Sequence, residues 1–95
     1  MFNIYFYEPV TIEDKPNLRY GFEWEVENED HAELILSFFG IHQFPDYVSA
    51  GDLEGYLEDG ELVLPPSYKS LKPLADKLLQ FTWDCKESNM LLATT

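Results

Sequence analysis

Arg19-Tyr20-Gly21-Phe22-Glu23-Trp24-Glu25-Val26-Glu27-Asn28 alternates apolar and polar side chains with a period of two residues. In an extended chain Tyr20, Phe22, Trp24 and Val26 fall on one face, and Arg19, Gly21, Glu23, Glu25 and Glu27 on the other. Only a β-strand repeats every second residue. One packed face and one wet face predict an antiparallel sheet rather than a parallel one buried on both sides.

The same pattern recurs towards the N-terminus. Over residues 1–8, Phe2, Ile4 and Phe6 alternate with Asn3, Tyr5 and Tyr7, which predicts a second strand. Pro9 is expected to end that strand or mark a sheet edge. Residues 11–18 hold Glu13, Asp14, Lys15, Pro16 and Asn17, a turn-rich connection that would join the two strands as a hairpin-like pair.

Downstream, the period changes from two to about 3.6. Ala32, Ile35, Leu36 and Phe39 form one apolar stripe and predict a helix over 29–39. Asn28 or Asp30 serves as N-cap, with Asp30 and Glu33 spaced like a capping box. Gly40 and Ile41 suit a Schellman ending. Residues 42–52 read as irregular. Residues 52–58 admit two readings: a short helix capped by Asp52, running through Asp59 and ended by Gly60, or a hairpin turning at Asp59-Gly60 into a strand at 61–64. After Pro65-Pro66, Ser70 would cap a second helix over about 71–86, with Pro73 tolerated in its first turn. Leu71, Leu74, Leu78, Phe81 and Cys85 would line its buried face. Residues 87–95 read as a last strand or a docked tail. The expected fold is therefore α+β: one domain over 1–95, mainly an antiparallel sheet of three to five strands, packed by two helices.

Apolar residues make up 45% of the chain and aromatics 16%, enough for a core without disulfides or a structural metal. Cys85 is the single cysteine, so no intrachain disulfide or zinc cluster is expected. Met1 leads straight into a strand pattern, and no apolar run approaches the roughly 18 residues of a membrane span. These features point to the cytoplasm.

Charge is the distinctive property. Eighteen acidic residues face six basic ones, a net of −12. Residues 20–68 contain twelve carboxylates and no lysine or arginine. A merely solubilising surface intersperses both signs. A field of this sign disfavours nucleic acid and anionic lipid as direct ligands and favours a basic protein. Glu23, Glu25 and Glu27 are the first candidate contacts, because i and i+2 carboxylates line one strand face roughly 6.5–7 Å apart. Glu29, Asp30, Glu58, Asp59 and Glu61 extend the candidate set. Tyr5, Tyr7, Tyr47, Tyr56 and Tyr68 are interleaved among the acids, and aromatic residues suit an interface.

No catalytic or cofactor site is expected. His31 falls in the first turn of a helix among acids, His42 follows the helix end, and Cys85 lies on an apolar stripe. The acid-rich segments lack the EF-hand pattern Asp-x-Asp/Asn-x-Asp/Asn-Gly, and no phosphate-cradling glycine loop occurs. Phe44-Pro45-Asp46, Ser49-Ala50-Gly51-Asp52 and Leu57-Glu58-Asp59-Gly60-Glu61 through Pro65-Pro66-Ser67 resemble the end of the HicB-type antitoxin domain. The helix between the two halves of that motif is compressed here, and the family's N-terminal strand motif has no counterpart. The resemblance implies neutralisation of a small RNase.

The expectation is a non-enzymatic acidic inhibitor of a basic nuclease or nucleic-acid-binding complex. It would act in a phage anti-defence (anti-CRISPR-like), immunity-protein or antitoxin setting. The alternative is a structural or adaptor domain that binds or homodimerises through an apolar surface, such as an edge strand or Met90–Ala93.

Overall fold

The computed structural model describes residues 2–85 and 89–95. Strands β1 (Phe2–Ile12) and β2 (Lys15–Val26) form one long antiparallel hairpin. The helix α1 (Glu29–Phe39) follows, then β3 (Asp46–Ser49) and the short helix α2 (Ala50–Glu54). A small hairpin of β4 (Leu57–Glu58) and β5 (Glu61–Leu62) leads into a 3₁₀ turn (Pro66–Leu71), the helix α3 (Lys72–Asp84) and the strand β6 (Met90–Thr94). The main sheet is antiparallel throughout, in the order β2-β1-β6-β3, and β4-β5 is a separate two-stranded sheet. The fold is α+β, as the alternation and the two helical stripes require.

The helices cover one face of the main sheet. Ile4, Phe6, Phe22, Val26, Val48, Leu91 and Ala93 point into that side and pack with Ile35, Leu53, Leu62, Leu71, Leu74 and Leu78. Phe6 stacks on Phe22 at 4.8 Å between ring centroids, and Phe22 meets Phe81 of α3 at 5.3 Å. Burying such side chains stabilises the fold by roughly 1.5–3 kcal/mol each.

Helix α1 forms where its caps dictate. Asn28, not Asp30, is the N-cap, and its Oδ1 accepts the His31 N–H at 3.0 Å. Gly40 takes the left-handed conformation (φ 67°), and Ile41 N–H donates to the Leu36 carbonyl at 3.0 Å, the expected Schellman ending.

Several expectations are corrected. The 11–18 connection is largely strand: only Glu13 and Asp14 turn, both at positive φ (51° and 63°). That is the geometry of a two-residue hairpin loop, made here without the usual glycine. Pro9 does not end β1. It stands where β1 has already parted from β6, whose pairing stops at Tyr7. Residues 46–49 are not irregular but an edge strand, paired with β6 from Asp46↔Ala93 to Ser49↔Met90. Ser49 rather than Asp52 opens the short helix, with the Ser49 N–H donating to the Asp52 carboxylate at 3.2 Å. The helix does not run through Asp59: α2 ends at Glu54, and Asp59-Gly60 turns the expected hairpin at positive φ (50° and 82°).

The expected strand at 61–64 is only Glu61–Leu62. Leu71, preceded by a 3₁₀ turn that contains Ser70, stands at the N-cap of α3, and Pro73 lies in its first turn. Lys86, the end of the expected second helix, lies outside the described residues, as do Glu87 and Ser88 of the expected tail. The remainder of that tail is β6, an internal strand flanked by β1 and β3. Strand β3 pairs with it from Met90 to Ala93, and β1 from Leu92 to Thr94.

Candidate interaction surface

One irregularity in β2 sets the composition of the uncovered sheet face. Phe6 pairs with Phe22, but the next residue, Tyr7, pairs with Tyr20, so Gly21 is an extra residue in β2. Such a β-bulge reverses the side-chain alternation beyond it. Glycine is required there: a Cβ on Gly21 would stand 2.9 Å from the Phe6 carbonyl oxygen and 3.0 Å from Cζ of Phe81. Strict alternation puts Tyr20 in the core and Arg19 beside the glutamates. The bulge exchanges them.

Tyr20 is consequently on the open face and 55% exposed. It opens a row that crosses all four strands in register, Tyr20↔Tyr7↔Leu92↔Tyr47. Tyr20 and Tyr7 meet edge to face with centroids 5.9 Å apart. The next row is Glu23↔Tyr5↔Thr94, and the one after it pairs Glu25 with Asn3. Partial desolvation raises the Tyr20 phenol above its ordinary value, helped by Glu23 and then by Tyr5 and Tyr7. Among the described residues, no lysine or arginine occupies a position on this face.

Arg19 turns to the other face. Its guanidinium pairs with Glu8, through Nη2 and through Nε at 3.1 Å, both to Oε2. Glu8 is only 5% exposed, so this ion pair fixes the root of the hairpin arm. Burial, followed by the adjacent Glu8 carboxylate, pushes the Cys85 thiol up to about 11. A thiol held protonated at neutral pH is a poor nucleophile.

The arm beyond Tyr7 projects past β6. Ile12 and Leu18 are exposed on it, and Pro9, Val10, Thr11, Pro16, Asn17 and Leu18 border a cleft of about 420 Å³ closed on its far side by Tyr47. Leu18, paired with Pro9 on the same face as Tyr7 and Tyr20, thus continues the tyrosine row onto the arm, whereas Ile12 stands at its tip.

The sequence-predicted acids separate into three places. Glu23 and Glu25 stand on the open face beside Tyr5. Glu27 lies one residue past the end of β2, and Glu29 and Asp30 form the exposed first turn of α1, where the helix dipole favours them. Glu58, Asp59 and Glu61 sit on the β4-β5 hairpin, which packs through Leu62 into the helical layer on the opposite side of the sheet. There Lys72 approaches Glu61 at 3.8 Å and binds Asp76 at 3.0 Å.

Of the five predicted tyrosines, Tyr5, Tyr7 and Tyr47 share the open face. Tyr56 and Tyr68 instead pack on Phe38, at 5.3 and 5.0 Å, and the Tyr68 hydroxyl lies 3.0 Å from Ser37 Oγ. Tyr20 and Leu92 complete the row but are not among the sequence-predicted candidates. The signal for Tyr20 was Gly21, an isolated glycine inside a strand.

His31 and His42 are on α1 and the loop after it, away from this face. Among the described residues, no group of His, Cys, Asp and Glu is arranged to hold a metal ion, and no helix is long and apolar enough to cross a membrane. Comparison with family models, curated proteins and solved structures yields no match, so the likeness to HicB-type antitoxins rests on the quoted residues alone.

Proposed function

We propose that this chain is a small binding protein that lays the open face of its sheet on a basic, nucleic-acid-handling protein and inhibits it by occupying the phosphate-binding surface. The observation that carries the reading is the in-register tyrosine row with carboxylates on one flank and, among the described residues, no basic residue on the face. Aromatic side chains supply contact area at low entropic cost, and the acids steer a positive surface into register. The net charge of −12 adds a long-range field of the same sign. Strands of 12, 11, 5 and 4 residues, at about 3.4 Å per residue and about 4.8 Å apart, give a face of roughly 500 Å². That is the greater part of the roughly 800 Å² one partner buries in a standard interface.

On this reading the chain is not an enzyme and acts in the cytoplasm, as a phage anti-defence protein or as a nuclease immunity protein or antitoxin. Capture from a host lysate with the wild-type chain and with Glu23→Lys/Glu25→Lys tests it. Capture should yield a basic protein, lost from the variant and released as salt rises, whose nuclease or nucleic-acid-binding activity falls when the wild-type chain is added. A partner retained by the variant, or one whose nucleic-acid activity is unchanged, overturns the reading.

The exposed Ile12 and Leu18 of the arm favour a second reading, apolar association of the chain with itself. Sedimentation separates the two, because apolar self-association persists at high salt and electrostatic capture does not.

A further inference from the structure

We infer that the tyrosine row and its flanking glutamates form a docking site for arginine side chains carried on an exposed arginine-rich segment of the partner. This rests on the reading of the open face as the binding surface and names what that surface recognises. The local arrangement is specific. Glu23 lies directly across from Tyr5, and the Tyr7–Tyr20 pair occupies the adjoining positions of the same two strands. Cross-strand Cβ atoms are about 4.5–5.5 Å apart, so a carboxylate and a ring lie within reach of one cationic group. The edge-to-face contact of Tyr7 and Tyr20 leaves ring faces open, and Tyr20 is more than half exposed.

A planar guanidinium stacks on a ring face and still offers its fork of N–H donors to a carboxylate beside the ring. A lysine ammonium is a compact, strongly hydrated point charge and uses the ring less well. The chain's own arginine is kept from filling the site. The Gly21 bulge turns Arg19 to the opposite face, where Glu8 holds it, and puts Tyr20 opposite Tyr7. A strand without the bulge keeps Arg19 on the same face as Glu23 and Glu25 and leaves Gly21, with no ring, opposite Tyr7.

Charge disfavours two other occupants of this face. Phosphates are repelled by Glu23 and Glu25, and a second copy laid face to face sets two such rows against each other.

The test titrates isotope-labelled protein with a short tetra-arginine peptide and with its all-lysine counterpart, at low and at physiological salt, followed by NMR. The arginine peptide should bind about tenfold more tightly, with shifts centred on Tyr5, Tyr7, Tyr20, Glu23 and Glu25. Tyr20→Leu should remove most of that preference while leaving the melting temperature in place. Glu23→Gln should weaken both peptides. Equal affinity for the two peptides overturns the inference and leaves the broader reading of a basic partner standing. Shifts centred on Glu58, Asp59 and Glu61, or no binding of either peptide, also overturn it; the broader reading is then judged by its own capture experiment.

Discussion

Two acidic hairpins stand on opposite sides of this molecule and differ in what surrounds them. The end of β2 carries Glu23 and Glu25 on an uncovered face, next to Tyr5, Tyr7 and Tyr20, with no base among the described residues of that face. The β4-β5 hairpin carries Glu58 and Glu61 directly opposite each other, with Asp59 in the turn and Lys72 within 3.8 Å of Glu61. In sequence the two groups are equivalent runs of acids. In three dimensions one is a row beside open aromatic rings, and the other is a solvated corner of the helical layer with its own counter-ion. Exposed acids partly paired with lysine contribute little to recognition. The comparison teaches that carboxylates become a candidate binding surface through their neighbours, not through their number.

The largest expected effect breaks the symmetry between the hairpins. Glu23→Lys/Glu25→Lys should weaken capture of the basic partner by about a hundredfold, whereas Glu58→Lys/Glu61→Lys should change it less than about threefold, both measured by calorimetry at physiological salt. Equal losses would make the charge global rather than local. Next in size is Gly21→Ala. A methyl group 2.9 Å from the Phe6 carbonyl oxygen and 3.0 Å from Phe81 should cost about 2 kcal/mol in urea unfolding. The same change at Gly55, which has nothing within 4 Å, should cost about 0.5 kcal/mol or less.

Tyr20→Ala loses the edge-to-face contact with Tyr7 and should cost about 1 kcal/mol of stability, and should weaken partner binding about tenfold. Lys72→Ala removes an exposed ion pair and should shift stability by no more than about 0.5 kcal/mol, with no loss of binding. The subtlest effect is protonic. The Tyr20 phenol should titrate above its ordinary value of 10.0, and Glu23→Gln should lower its midpoint, because removing a nearby negative charge makes phenolate easier to form.

The fold was largely legible from periodicity. The period-two runs read over 1–8 and 19–28 fall largely on β1 and β2, although the second changes phase at Gly21, and the stripes of 32–39 and 71–85 fall on α1 and α3. The misses share a physical cause. Glu13-Asp14 turns at positive φ without glycine, so the sequence carries no tight-turn signal there and implies a shorter arm than the one observed. Asp46–Ser49 is too short to alternate visibly, and it becomes a strand only because β6 presents an edge to it. For the candidate surface, the glutamates of β2 were readable, whereas the row of tyrosines was not. Its register depends on one bulge and on the pairing of β1 with β6, residues nearly the whole chain apart. Tyr56 and Tyr68 were indistinguishable in sequence from Tyr5 and Tyr7, and only packing on Phe38 separates them.

The central claim, that the open sheet face is the binding face, is tested most directly by site-specific photo-crosslinking in host cells. A photoreactive phenylalanine replaces Tyr20 on the open face in one strain and Trp83 on the outer side of α3 in another, two positions that are similarly exposed at 55% and 50%. The account predicts an adduct with a basic, nucleic-acid-handling protein from position 20 and none from position 83. An adduct from position 83 alone, or an adduct from position 20 with a second copy of this chain, would contradict it.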